Sequence, residues 1–115
     1  MRRTVLVAAL LVMNFVSQVQ AQAPNKMSYQ AVIRNNANDL VTNSQIGMQV
    51  SILQGSANGT AVYVETQTPT TNGNGLVSIE IGSGAVVSGS LASINWANGP
   101  FFIKTETALE APFNN

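Results

Sequence analysis

The chain has 115 residues, enough for one domain, with 45% hydrophobic and only 9% charged residues and with neither Cys nor His. The missing Cys excludes disulfides, thiolate nucleophiles, zinc fingers and iron–sulfur ligation, and the missing His removes the commonest general base and metal ligand. Five Lys+Arg balance five Asp+Glu, so there is no basic footprint and no nucleic-acid partner is expected.

Met1, Arg2 and Arg3 form a basic start, Val5 to Val16 is apolar apart from Asn14, and a polar stretch then leads to Val19-Gln20-Ala21-Gln22-Ala23. This pattern predicts a helical secretory signal peptide over residues 1–23, cleaved after Ala21 or Ala23. The apolar run falls short of the ~20 residues a membrane span needs, so no stable span is expected after cleavage. No Cys follows it to carry a lipid. The expected location is therefore extracellular or the outer cell surface. Cleavage removes Arg2 and Arg3, leaving Lys26, Arg34 and Lys104 against five acidic residues, a net charge of −2.

From Lys26 onward, apolar residues alternate with polar ones in runs of five to nine, and the breaks are rich in Asn, Gly, Ser and Pro. Residues 24–115 are accordingly expected to form a single all-β domain. Met27 to Arg34 is the first predicted strand, with Met27, Tyr29, Ala31 and Ile33 on one face, and Asn35 to Asp39 is a turn. Gln45 to Gln54 is the clearest strand. Ile46, Met48, Val50 and Ile52 are its core face, with the other face mostly wet. Ala61 to Thr68 follows, with Val62 and Val64 assigned to the core, and Pro69 ends it because it has no amide proton to donate.

Asn72-Gly73 and Asn74-Gly75 are the strongest hairpin mark in the chain, and the strand after them, Leu76 to Gly82, is expected to bury Val77, Ile79 and Ile81. Ala85 to Val87 reads as a short edge segment. Ser90 reads as the N-cap of one or two helical turns through Trp96, with Leu91 and Ile94 on one face. Phe101 to Glu106 is the last strand, with Phe101 and Ile103 assigned to the core. Five to seven short antiparallel strands of this kind predict a β-sandwich with one short helical turn near residues 90–96.

The run Lys26-Met-Ser-Tyr-Gln-Ala-Val-Ile-Arg-Asn35, with Leu40-Val-Thr-Asn43, Val50-Ser-Ile-Leu-Gln-Gly55, Gly59-Thr-Ala-Val-Tyr-Val-Glu65, the segment from Thr70 to Gly82 and that from Ile94 to Glu106, resembles the N-terminal module of many secreted and cell-surface proteins of Bacteroidetes-type bacteria. The resemblance covers residues 25–106. It implies an immunoglobulin-like or prealbumin-like β-sandwich at the head of longer chains with tail-fibre-like, collagen-like or adhesin-like parts, and it brings no catalytic residues. After Glu106 that family continues through an Asp-Pro-Gly-Gly-type turn to a Ser-Val-Pro-Tyr-Ala-like close, which residues 107–115 do not match. The domain is therefore expected to be a truncated or frame-shifted copy lacking its last strand or strands, or to receive that strand from elsewhere. Self-association through the unpaired edge beside Phe101 to Glu106 is expected.

Among candidate sites, the Asn/Asp cluster at 35–39 lacks the sixth-position Gly and twelfth-position Glu of a calcium loop and reads as an Asx-rich turn. Glu65, Glu80 and Glu106 are the only strand carboxylates. A glycosidase would need two of them ~5–10 Å apart, whereas solvated outer-face charges are far commoner. No Gly-x-Ser-x-Gly elbow occurs, and a Ser triad lacks its His. The chain is expected to be non-enzymatic, without cofactor or metal. Trp96, Tyr63 and Phe102 are the candidate ligand contacts, as an aromatic platform for glycans or peptides. The competing expectation for Trp96 is a plug closing one end of the core. The predicted role is a structural or adhesive surface module that contacts other surface proteins or glycans.

Overall fold

The computed structural model describes residues 26–114, and the predicted signal peptide over residues 1–23 lies outside the described residues. Six strands form two antiparallel sheets: β1 (Met27–Val32), β2 (Gly47–Gln54), β3 (Thr60–Gln67), β4 (Leu76–Ile81), β5 (Ala85–Gly89) and β6 (Phe101–Ala108). β1 and β4 make the smaller sheet, and the larger runs in the order β5-β3-β2-β6. The fold is an all-β sandwich. The β1–β4 pair beside β3–β2–β6 has the adjacency of the B–E and C′–C–F strands of immunoglobulin-type domains, while β5 departs from it by joining the larger sheet only after β4.

Alternation along the strands accounts for the layers. β1 half-buries Met27, Tyr29 and Ala31 and exposes Ser28, Gln30 and Val32, and β4 buries Val77, Ile79 and Ile81 while exposing Ser78 and Glu80. Against them pack Met48 and Val50 from the larger sheet and Ile46 just before β2, with Ile33 completing the main core. Each such aliphatic side chain stabilises the fold by about 1.5–3 kcal/mol when fully buried. A second, smaller cluster of Ile52, Tyr63 and Leu91 lies toward one end of the sandwich, flanked by Val62, Ile94 and Phe101.

Tertiary context changes several faces. β2 is buried on both sides, not on one, because it lies between β3 and β6, whose side chains flank Gln49, Ser51 and Leu53 on the outer face. The tail also crosses it at Gly47, where a Cβ would collide with the Phe113 amide nitrogen and stand 2.9 Å from the Pro112 carbonyl carbon. In β3 the expected core residues Val62 and Val64 are half-buried, and Tyr63 and Glu65 take the inner positions. Register decides this, since Tyr63 stands opposite Ile52 and Glu65 opposite Val50, and opposed residues share a face. A bulge between Ile52 and Leu53 leaves Val62 without a partner on β2.

Phe101 is half-buried against the second cluster, but Ile103, assigned to the core from its alternation, is 48% exposed. It stands opposite Ile52 and so faces inward. β6, however, is the edge of a four-stranded sheet covered by only two strands, and that cover leaves this part of β6 bare.

The two Asn-Gly pairs do not make a hairpin. Asn72 Oδ1 accepts the amides of Asn74 at 2.8 Å and Leu76 at 3.0 Å, and Gly75 adopts φ +74° in a loop that carries the chain from the larger sheet to the smaller. Asn35 Oδ1 accepts the amides of Ala37 and Asp39 in the same pattern, at 2.9 and 3.0 Å, which makes residues 35–39 the Asx turn their composition predicts. The helical turn expected over 90–96 is split into two 3-10 turns, Leu91–Ser93 and Trp96–Asn98. Ser90 gives no side-chain cap. Asn95 Oδ1 caps the second turn instead, accepting from the Ala97 amide at 3.2 Å. The segment must cross from one edge strand, β5, to the other, β6, and a 3-10 turn covers about 2.0 Å per residue against about 1.5 Å for an α-helix.

Candidate functional site

The crossing segment closes the end of the sandwich where β2 and β5 finish and β6 starts. Leu91 is the side chain that seals the core there, packed on Ile52 and Tyr63. Trp96 is not the plug. It sits on the second 3-10 turn, 50% exposed, and meets Phe101 edge-on with ring centroids 5.0 Å apart and planes at 65°. Between this segment and the end of the larger sheet opens a cleft of about 340 Å³, with Gln54, Ser90, Ser93, Asn95 and Asn98 on its polar side and Phe101 on its apolar side.

The three aromatic candidates do not converge. Tyr63 is 1% exposed inside the sandwich, Phe102 stands opposite Leu53 on the outer face of the larger sheet, and Trp96 lies at the end. A platform built from all three is thus not assembled, because register sends adjacent strand residues to opposite faces. The three strand carboxylates are likewise separated. Glu80 is on the outer face of the smaller sheet beside Lys26, with a nitrogen–oxygen distance of 3.9 Å, and Glu106 is on the outer face of the larger sheet beside Lys104, at 3.6 Å.

Glu65 was expected among solvated outer-face charges and is instead fully buried. Its carboxylate is tolerated there because donors surround it, as a buried charge requires. Oε1 accepts the Tyr63 hydroxyl at 2.6 Å and the Gly82 amide at 2.6 Å, and Oε2 accepts Gln67 Nε2, which also donates to the Glu80 carbonyl oxygen at 2.8 Å. Since Gly82 follows β4 directly, these bonds tie the larger sheet to the smaller one. Burial first, then the hydrogen bond and the charge of Glu65, push the Tyr63 phenol well above its ordinary range. The spacing Tyr63-Glu65-Gln67, three polar residues on one strand face, was the available sign of this network, but the valines between them offered the simpler hydrophobic face. Among the described residues no group of three acidic side chains is gathered in metal-binding geometry, and no helix is long and apolar enough to cross a membrane.

The two-sheet architecture, its bare β6 edge and its end-on cleft define a small all-β sandwich domain. Residues 28–111 match the family model described as Domain of unknown function (DUF8740), and the chain belongs to that family. No curated protein and no solved structure matches the chain.

Proposed function

We propose that this domain is a non-catalytic contact module of an exported surface protein, structural or adhesive in role. The observation that carries the reading is β6, an edge strand whose inward-facing Ile103 the two-stranded sheet leaves 48% exposed. An edge strand with apolar side chains in solvent is a template for a further strand. Other surface proteins, or a second copy of the chain, are its partners. The basic start and apolar run at residues 1–23 support export, and the resemblance to Bacteroidetes-type surface modules supports a place on the cell exterior.

Surface biotinylation and fractionation of the producing bacterium test this. The expected result is a labelled chain in the surface fraction whose N-terminus begins after Ala21 or Ala23. An unlabelled chain retaining Met1 in the cytoplasm would overturn the reading.

A further inference from the structure

We propose that the cleft between the 90–100 crossing and the end of the larger sheet binds a neutral carbohydrate, holding one sugar ring of a glycan by its hydroxyls and its C–H face. The site goes beyond the contact-module reading, since its chemistry is independent of where the chain resides and of what β6 pairs with.

Its polar side is entirely uncharged, made of the carboxamides of Gln54, Asn95 and Asn98 and the hydroxyls of Ser90 and Ser93. An ionised ligand would lose hydration there without meeting a counter-charge, and a purely apolar one would leave these groups dry and unpaired. A sugar hydroxyl both donates and accepts, as a carboxamide and a serine hydroxyl do between them. The groups retain that capacity. Gln54 Nε2 donates to the Asn98 backbone carbonyl at 3.1 Å, which leaves its side-chain oxygen, and Asn95 uses its oxygen as a cap, which leaves its NH₂. The hydroxyls of Ser90 and Ser93 and the Asn98 carboxamide bond to no other described residue.

The apolar side is Phe101 with Val62 and Ile94, the surface that the C–H face of a pyranose requires. Trp96 packs edge-on against the Phe101 ring, so the two side chains restrain one another. Val62 reaches the cleft because the bulge releases it from pairing with β2. A volume of about 340 Å³ lies near the lower end of the roughly 300–1,000 Å³ of small-molecule sites, which suits a single ring.

The test is a ¹H–¹⁵N NMR titration of the isolated full chain with a panel of neutral tetrasaccharides built from glucose, xylose, mannose or N-acetylglucosamine, with a sulfated tetrasaccharide and an uncharged tetrapeptide as comparators. At least one neutral tetrasaccharide is expected to give saturable shifts in the millimolar range at the side-chain amides of Gln54, Asn95 and Asn98 and at the backbone of residues 89–99. Ser93→Arg, an exposed position, should fill the cleft and weaken that binding at least about tenfold, the loss of about 1.4 kcal/mol, while Phe102→Ala on the outer face leaves it unchanged. If circular dichroism shows Ser93→Arg to be misfolded, Asn98→Ala takes its place with the same expectation. The proposal falls if no neutral tetrasaccharide moves these resonances, if the sulfated glycan or the peptide moves them as strongly, or if the cleft variant binds like the parent. Failure here leaves the surface reading standing, because biotinylation does not depend on the cleft.

Discussion

Tyr63→Phe removes one hydroxyl and keeps the ring that packs on Ile52 and Leu91, so its effect isolates the hydrogen bond to Glu65. That bond is 2.6 Å long and buried, and its acceptor is a carboxylate whose hydrogen-bond donors among the described residues are all neutral. A hydrogen bond to a charged group contributes about 1.5–3 kcal/mol. The Gly82 and Gln67 donors remain, so we expect a loss of about 2 kcal/mol rather than the several that an isolated buried charge would cost. For a domain of this size, in which each kcal/mol moves the midpoint by about 4–8 °C, thermal unfolding followed by far-ultraviolet circular dichroism should show a fall of roughly 8–16 °C. Glu65→Gln should be destabilising as well, since its amide would turn a donor toward a donor, and the double variant should lose less than the two single losses combined. A Tyr63→Phe change below about 0.5 kcal/mol, the range of ordinary surface substitutions, would refute the view that this bond secures the carboxylate.

Alkaline pH tests the same pair from the other side. The folded state holds the Tyr63 proton above the ordinary pKa of 10.0, so its contribution is fully present below pH 10 and stability should fall as pH rises further. Urea unfolding across that range should show this slope in the parent and a shallower one in Tyr63→Phe. Gly89→Ala should detach β5, because φ is +78° there and a Cβ would collide with the Val62 carbonyl oxygen. Its reading is faster amide hydrogen exchange over residues 85–89, and parental protection there would contradict the close approach. Ile103→Lys should leave stability within about 0.5 kcal/mol while lowering self-association in sedimentation velocity. By contrast Ile52→Ala, at the fully buried residue opposite it, should cost about 2–5 kcal/mol. Equal destabilisation by the two would show that Ile103 is covered.

Much of the fold was legible because strand alternation is a local property. Ile46 just before β2, Met48, Val50 and Ile52 on it, and Val77, Ile79 and Ile81 on β4 are buried as their period of two requires, and the Asn35 turn follows from a carboxamide bonding its own backbone. The candidate site was much less legible. Trp96 is the chain's lone tryptophan, yet the cleft near it is made by Gln54 at the end of β2 and by Ser90, Ser93, Asn95 and Asn98, the last four of which look like ordinary loop composition until three strand ends are brought together.

The sequence by itself determined the all-β class, the succession of strands along the chain and the absence of thiol and imidazole chemistry, since these depend on residue type and on neighbours a few positions away. Only the tertiary structure decided which face of β3 is inside, because period two defines two faces and says nothing about which one meets β2. Pairing of Tyr63 with Ile52 and of Glu65 with Val50 made that choice, and it buried a carboxylate that composition places in water. The same long-range arrangement, four strands facing two, left Ile103 in solvent. Exposure of an edge strand depends on what the opposite sheet covers, and no local pattern carries that information.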